Sequence, residues 1–264
     1  MEKKTNTLTL NAEGVMRPLI HQLWQCQNII LFGLRSVDTI TDFPSSTDEE
    51  NEVFMVHIGE APKDLDVQKE LYRKWLIKKG FEDLSKGIKL ALIEAYYYVS
   101  VVNKKDQLKT YEDFRVEIED LQKKAIELPL PGLLSKVTPY LKNKLRYEDH
   151  ISSINRARNC LVHAGGVITD RHINNKENSR LDVKGIRWKM FYEKDGEQVE
   201  VKAGVKVDGG TTVMMGQEEF SLNFEKGEQV EVSLEHFNNF IKTCWLFGVD
   251  LKDNLPEIKP PNEQ

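Results

Sequence analysis

The sequence predicts a mostly α protein, a helical bundle with an antiparallel β-meander inserted before its last helix. Three observations predict it. From about residue 12 to residue 166, apolar side chains recur at the three-to-four spacing of a helix, interrupted by segments that carry proline or glycine. From Leu181 to Leu234 the period shortens to two, with turn dipeptides between runs of strand formers. After Ser233 the helical period returns, with one strongly apolar side.

The elements follow in order. Val15, Leu19, Ile20, Leu23, Trp24, Ile30, Leu31 and Leu34 predict a helix from Ala12 to about Thr39. TDFPSSTDEENE comes next, polar and acidic with one proline, and reads as an exposed loop whose Asp48-Glu49-Glu50 run is solvated. A long helical region spans about Asp66 to Asn103 on Leu71, Trp75, Leu84, Ile88, Ala91, Leu92, Ala95, Tyr96, Val99 and Val102, with Gly80 and Gly87 marking a candidate break or kink. Within it, Tyr96-Tyr97-Tyr98 reads chiefly as core packing. A third helix covers about Thr110 to Glu127. It ends at Leu128-Pro129-Leu130-Pro131-Gly132, because proline has no N–H for the ladder and disfavours helix in the residue before it.

A shorter helical stretch from Leu133 to Leu145 is interrupted by Pro139, and another helix starts near Tyr147 and stops at Gly165-Gly166. Alternation then runs through Val183, Ile186, Trp188, Met190 and Tyr192, through Val199 and Val201, and through Val205 and Val207. Asp195-Gly196, Asp208-Gly209-Gly210 and Lys226-Gly227 supply the turns, which gives four or five antiparallel strands. Ser233 is placed to cap a final helix with Phe237, Phe240, Ile241, Cys244, Trp245 and Gly248 along one side. That side requires cover, so the helix packs back on the bundle. The predicted organisation is a helical domain over 12–166 plus 233–250, an inserted strand region over 181–232 and a flexible tail over 251–264.

Composition narrows the class of function. The 264 residues are 40% hydrophobic and 30% charged, ordinary values for a folded chain. The opening MEKKTNTLTLNAEG lacks the apolar core of a secretory signal. The most apolar stretch, Ile88 to Val102, is broken by Lys89 and Glu94, so no membrane span and a cytoplasmic location are expected. Cys26, Cys160 and Cys244 are far apart and odd in number, with no CxxC pair or Cys/His cluster. The expectation is therefore core thiols, no disulfide frame, no metal and no cofactor. A net charge of -5 argues against nucleic-acid binding through overall charge, while leaving room for a local basic patch.

The most informative stretch is Arg158-Asn159-Cys160-Leu161-Val162-His163. His163 is four residues after Asn159, so the two share a helix face. Arg156 lies two turns before His163 and is well aligned with it. Arg158 is about 140° away round the helix, and its long side chain has to reach around. Converging on one anion, these residues suit metal-free RNA cleavage. A histidine takes the proton of a ribose 2′-hydroxyl near neutral pH, and an arginine fork stabilises charge on the phosphoryl oxygens. Lys136, Lys142, Lys144 and Arg146 precede this helix with no acidic residue among them, and Lys142, Lys144, Arg146 and Arg156 are the candidate RNA phosphate contacts. His21, His57, His150, His172 and His236 have no partner at catalytic spacing.

Arg158-Asn159-Cys160-Leu161-Val162-His163 resembles the R-x(4–6)-H signature of the HEPN superfamily, in the form with Asn after Arg. The resemblance covers the helical parts, about Ala12 to Gly166 and the last helix, and leaves out the strands. It implies a helical bundle, a homodimer whose two motifs meet in a shared cleft, and a metal-independent endoribonuclease of the toxin–antitoxin, phage-defence or RNA-processing kind. It further implies catalytic roles for Arg158 and His163, a supporting role for Asn159, and an antitoxin or defence-complex protein as a further partner. Family members partnered with a nucleotidyltransferase carry a tyrosine two residues after the histidine, and Gly165 stands there in this chain. The same residues also fit a non-catalytic dimeric scaffold, a nucleotide- or phosphate-sensing protein, or a helix end where His163 only caps or packs and Arg158 is solvated or paired with Glu148 or Asp149.

Overall fold

The computed structural model describes residues 10–41, 62–104, 106–108, 110–194, 196–201, 204, 207 and 211–257. Most of the acidic loop after Thr41, His57, Asp195, Val205, the 208–210 turn and the end of the tail lie outside them. The described chain is mostly helical, with a small three-stranded antiparallel sheet before the last helix.

Asn11 opens the first helical run, its side chain accepting the Glu13 N–H at 2.9 Å. A 3₁₀ turn over Ala12–Met16 leads into α1 (Arg17–Gln25), a π-helical turn over Cys26–Ile30, and α2 (Leu31–Thr39). The π turn adds a residue to the helical repeat, and Leu19, Leu23, Cys26, Ile30, Leu31 and Leu34 are buried on one side of the run. Ile20 and Trp24, which the spacing counts with them, point into solvent at 48% and 58% exposure.

Helix α3 (Leu65–Lys104) is a continuous rod of 40 residues, about 60 Å long at 1.5 Å per residue. Gly80 and Gly87 do not break it; they are where neighbours come closest. A β-carbon on Gly80 would lie 2.3 Å from Cζ of Phe237, and one on Gly87 would lie 2.9 Å from Cβ of Gln22. The two glycines let the last helix and α1 press against α3.

Helix α4 (Tyr111–Glu127) starts with a capping box between Thr110 and Asp113. Helix α5 (Leu130–Val137) begins earlier than the sequence suggests, because Pro131 sits in its first turn, where a missing N–H costs nothing. It ends in a 3₁₀ turn at Thr138–Tyr140, so the stretch to Leu145 is not helical. Helix α6 (Glu148–His163) carries the motif.

The sheet has three strands rather than four or five among the described residues: β1 (Arg180–Lys194), β2 (Glu197–Glu200) and β3 (Val213–Glu225), in the order β2-β1-β3. β1 and β3 pair over their whole length, from Arg180 opposite Glu225 to Tyr192 opposite Val213. β2 pairs only with residues 191–194 and leaves the rest of that β1 edge without a strand partner. Side chains take its place. Asn174 Oδ1 accepts the Asp182 N–H, Ser153 Oγ that of Lys184 and Thr243 Oγ1 that of Ile186, at 2.8, 2.9 and 2.8 Å. This is how a sheet edge turned toward helices satisfies its donors.

The insertion is therefore not a separate body. Leu181, Val183, Ile186 and Phe224 belong to the same core as the helices. Helix α7 (Leu234–Asp253) is capped by Ser233, which accepts the His236 N–H, and buries Phe237, Phe240, Cys244 and Phe247. It runs past residue 250. Leu251 and Leu255 are buried and the Tyr98 hydroxyl donates to the Pro256 carbonyl at 3.0 Å, so the tail expected from 251 is packed to at least 256. No described helix is long and apolar enough to cross a membrane.

Candidate functional site

Helix α6 is amphipathic. Ile151, Ile154, Ala157, Cys160 and Leu161 are buried, while Arg156 and His163 are exposed. Glu148 and Asp149 in its first turn suit the positive end of the helix dipole, and His163 sits in the last turn, at the negative end. The helix stops where Gly165 and Gly166 take φ of 61° and 86°. The Cys160 carbonyl accepts the N–H groups of both Ala164 and Gly166 at 3.0 Å. This ending leaves the His163 imidazole at the surface.

Arg158 reaches His163 despite the angle between them. Its Nη1 donates to Asn159 Oδ1 at 2.9 Å and lies 3.1 Å from His163 Nε2. A guanidinium has donors only, so a hydrogen bond in this contact requires Nε2 to be the acceptor. Among the described residues, Nε and Nη2 of Arg158 have no hydrogen-bonding partner. Asn159 thus orients the arginine.

The four candidate phosphate contacts are not gathered with these three. Arg156 is exposed, and its Nη1 makes a long 3.5 Å contact with the Ile173 carbonyl. Lys142, Lys144 and Arg146 lie just before the N-terminus of α6. Lys142 bonds Glu257 at 2.5 Å, and Arg146 N donates to Asp250 Oδ2 at 2.7 Å while its guanidinium lies over the Tyr147 ring. The motif is at the other end of a 16-residue helix, about 24 Å away at 1.5 Å per residue. A rigid helix holds apart what the sequence places side by side, so within one chain this cluster does not flank Arg158 and His163.

Sequence reasoning missed the cations that do lie near the end of α6. A cavity of about 630 Å³ is bordered by Gly165 and Gly166 on one side and by Arg73, Lys74, Trp75 and Lys78 of α3 on another. These residues are more than 80 positions from the motif, so no local spacing could join them. One signal was available: the buried stripe of α3 includes Ile77, Phe81, Leu84 and Ile88. Projected back by helical period, it passes through 73 and 70 and leaves Trp75 off the core face.

The three thiols are buried and free, and burial pushes Cys26 up to about 12 and Cys160 up to about 11. Cys160, inside the motif, is a core side chain and no nucleophile at neutral pH. Among the described residues no group of three or more histidine, cysteine, aspartate or glutamate side chains is arranged to hold a metal. The chain matches no family model, no curated protein and no solved structure.

Proposed function

We propose that this protein is a HEPN-like, metal-independent endoribonuclease, acting as a cytoplasmic homodimer in a toxin–antitoxin or phage-defence setting. One observation carries the reading: Nη1 of Arg158 stands 3.1 Å from Nε2 of His163 while bonded to Asn159. A phosphate entering this end of α6 meets the unspent donors of Arg158. Drawing the arginine onto its oxygens frees the Nε2 lone pair. Nε2 then takes the proton of the adjacent ribose 2′-hydroxyl, O2′ attacks phosphorus and the P–O5′ bond breaks. The products are a 2′,3′-cyclic phosphate and, after protonation of the leaving oxygen by water, a 5′-hydroxyl. DNA, which lacks the 2′-hydroxyl, is not cut.

The test is cleavage of a mixed RNA pool by the purified chain in excess chelator, with end-group analysis of the fragments. Wild type should cleave and leave cyclic phosphates. His163→Ala should lose about 10²- to 10⁴-fold in rate and Arg158→Ala about 10²- to 10³-fold. Cleavage that needs a divalent ion, or that survives His163→Ala, sinks the reading. Intact RNA together with Arg158-dependent binding would assign the motif to phosphate sensing instead.

A further inference from the structure

Trp75 exposes 61% of its surface on the rim of the cavity beside Gly165, off the face of α3 that Ile77, Phe81 and Leu84 bury. A large rigid aromatic this exposed offers a face for contact. Next to it stand two lysines with little to hold them. Lys78 has no partner among the described residues. Among the described residues Lys74 makes only long contacts, 3.5 Å to Glu70 and 3.4 Å to Gln229 Oε1. Arg73 is different, committed to Asp38 at 2.5 Å.

Gln229 links this group to the motif helix, because its Nε2 donates to the Gly165 carbonyl at 3.4 Å while its Oε1 faces Lys74. Gly165 is two residues after His163, so their Cα atoms are at most about 7.6 Å apart. The cavity, about 630 Å³, falls within the common range for small-ligand sites. An aromatic platform with flanking cations is how single-stranded nucleic acid is held without regard to sequence.

We propose that this cavity holds a nucleotide of the RNA strand next to the one at Arg158 and His163, its base stacked on Trp75 and its phosphate on Lys74 and Lys78. The proposal rests on the ribonuclease reading for its choice of ligand, and its test is independent of cleavage. Because the cavity lies beyond the end of α6, the strand runs off the C-terminal end of that helix and away from the basic residues at its start.

The probe is a fluorescein-labelled single-stranded RNA in which every ribose is 2′-O-methylated, so that it cannot be cut, titrated with the full chain and followed by anisotropy. Trp75→Ala should weaken binding roughly tenfold, which corresponds to about 1.4 kcal/mol, and Trp75→Phe should keep most of it. Lys74→Ala with Lys78→Ala should weaken binding and flatten its salt dependence. Trp75 and Lys74 are exposed and Lys78 is half-buried, so the variants should melt with wild type. Unchanged binding in both Trp75→Ala and the lysine pair overturns the proposal, as does a wild-type chain that fails to bind the probe. Chelator-resistant, His163-dependent cleavage alongside either result leaves the ribonuclease reading standing. Trp75-dependent binding by a chain that never cleaves RNA supports the cavity and sinks the catalysis.

Discussion

Gly80→Ala is the substitution whose outcome the geometry fixes most sharply. In an ordinary helix the change stabilises by about 0.8–1 kcal/mol, because alanine has less backbone freedom to lose. Here the new β-carbon would lie 2.3 Å from Cζ, 2.7 Å from Cε2 and 3.1 Å from Cε1 of Phe237. Carbon atoms rest about 3.5–4.0 Å apart, so the ring has to retreat by more than about 1 Å. Phe237 is fully buried and packs at 6.0 Å between ring centroids from Phe81, which is fully buried too, so nothing soft lies behind it. Overpacking of this kind costs about 1–3 kcal/mol, toward the upper end for an enclosed ring, and the net expectation is a loss of about 1–2 kcal/mol. Urea unfolding followed by circular dichroism should show a lower midpoint at an unchanged slope. Adding Phe237→Leu should recover part of the loss, a coupling of about 0.5 kcal/mol or more. A Gly80→Ala chain as stable as wild type would refute the reasoning, because α7 would then not press on α3 at this point.

Two other outcomes follow from the sheet's junction with the helices. Thr243→Val keeps the shape but leaves the buried Ile186 N–H without its acceptor, so a loss of about 1–3 kcal/mol is expected in the same unfolding assay, with Thr243→Ser losing less. His150 of α6 is buried, and among the described residues neither ring nitrogen has a hydrogen-bond partner, with Glu219 Oε1 3.7 Å from Nε2. Burial lowers its pKa, with Lys184 adding to the effect and Glu219 and Asp149 opposing it; His172 is lowered as well, by burial and by Arg171 and Arg156. Both imidazoles bind protons less readily folded than unfolded, so stability is full above the ordinary histidine pKa near 6.5 and falls as pH drops below it. Melting temperatures from pH 7.5 to 5.5 should decline, and less steeply in His150→Phe; an equal decline in that variant would remove His150 from the account.

Much of the fold was legible because its signals are local. The helical stripes, the Ser233 cap, the Gly165-Gly166 stop and the change of period at residue 181 each act within a few residues. What was hidden depends on pairs distant in sequence. Gly80 reads as a helix breaker until Phe237 is placed against it. Ser153 and Thr243 read as ordinary polar residues in helices until the unpaired edge of β1 lies beside them. The motif shows the same division. Its residue types and spacing were visible, and the contact between Arg158 and His163 needed only one long side chain to turn toward the helix end. The separation of its neighbours was not visible, because Lys142, Lys144 and Arg146 are close to the motif along the chain and a helix length away in space.

The contact between Arg158 and His163 raises a question that the spacing alone does not convey. Under the proposed ribonuclease reading the arginine leaves Nε2 for a phosphate, and what it brings there is either its charge or its shape. Arg158→Lys separates the two. A lysine preserves the charge but not the planar fork that Asn159 holds and that can meet a phosphate with two donors. If the fork matters, Arg158→Lys falls nearly as far as Arg158→Ala in the chelator assay; if charge alone matters, it retains most of the wild-type rate.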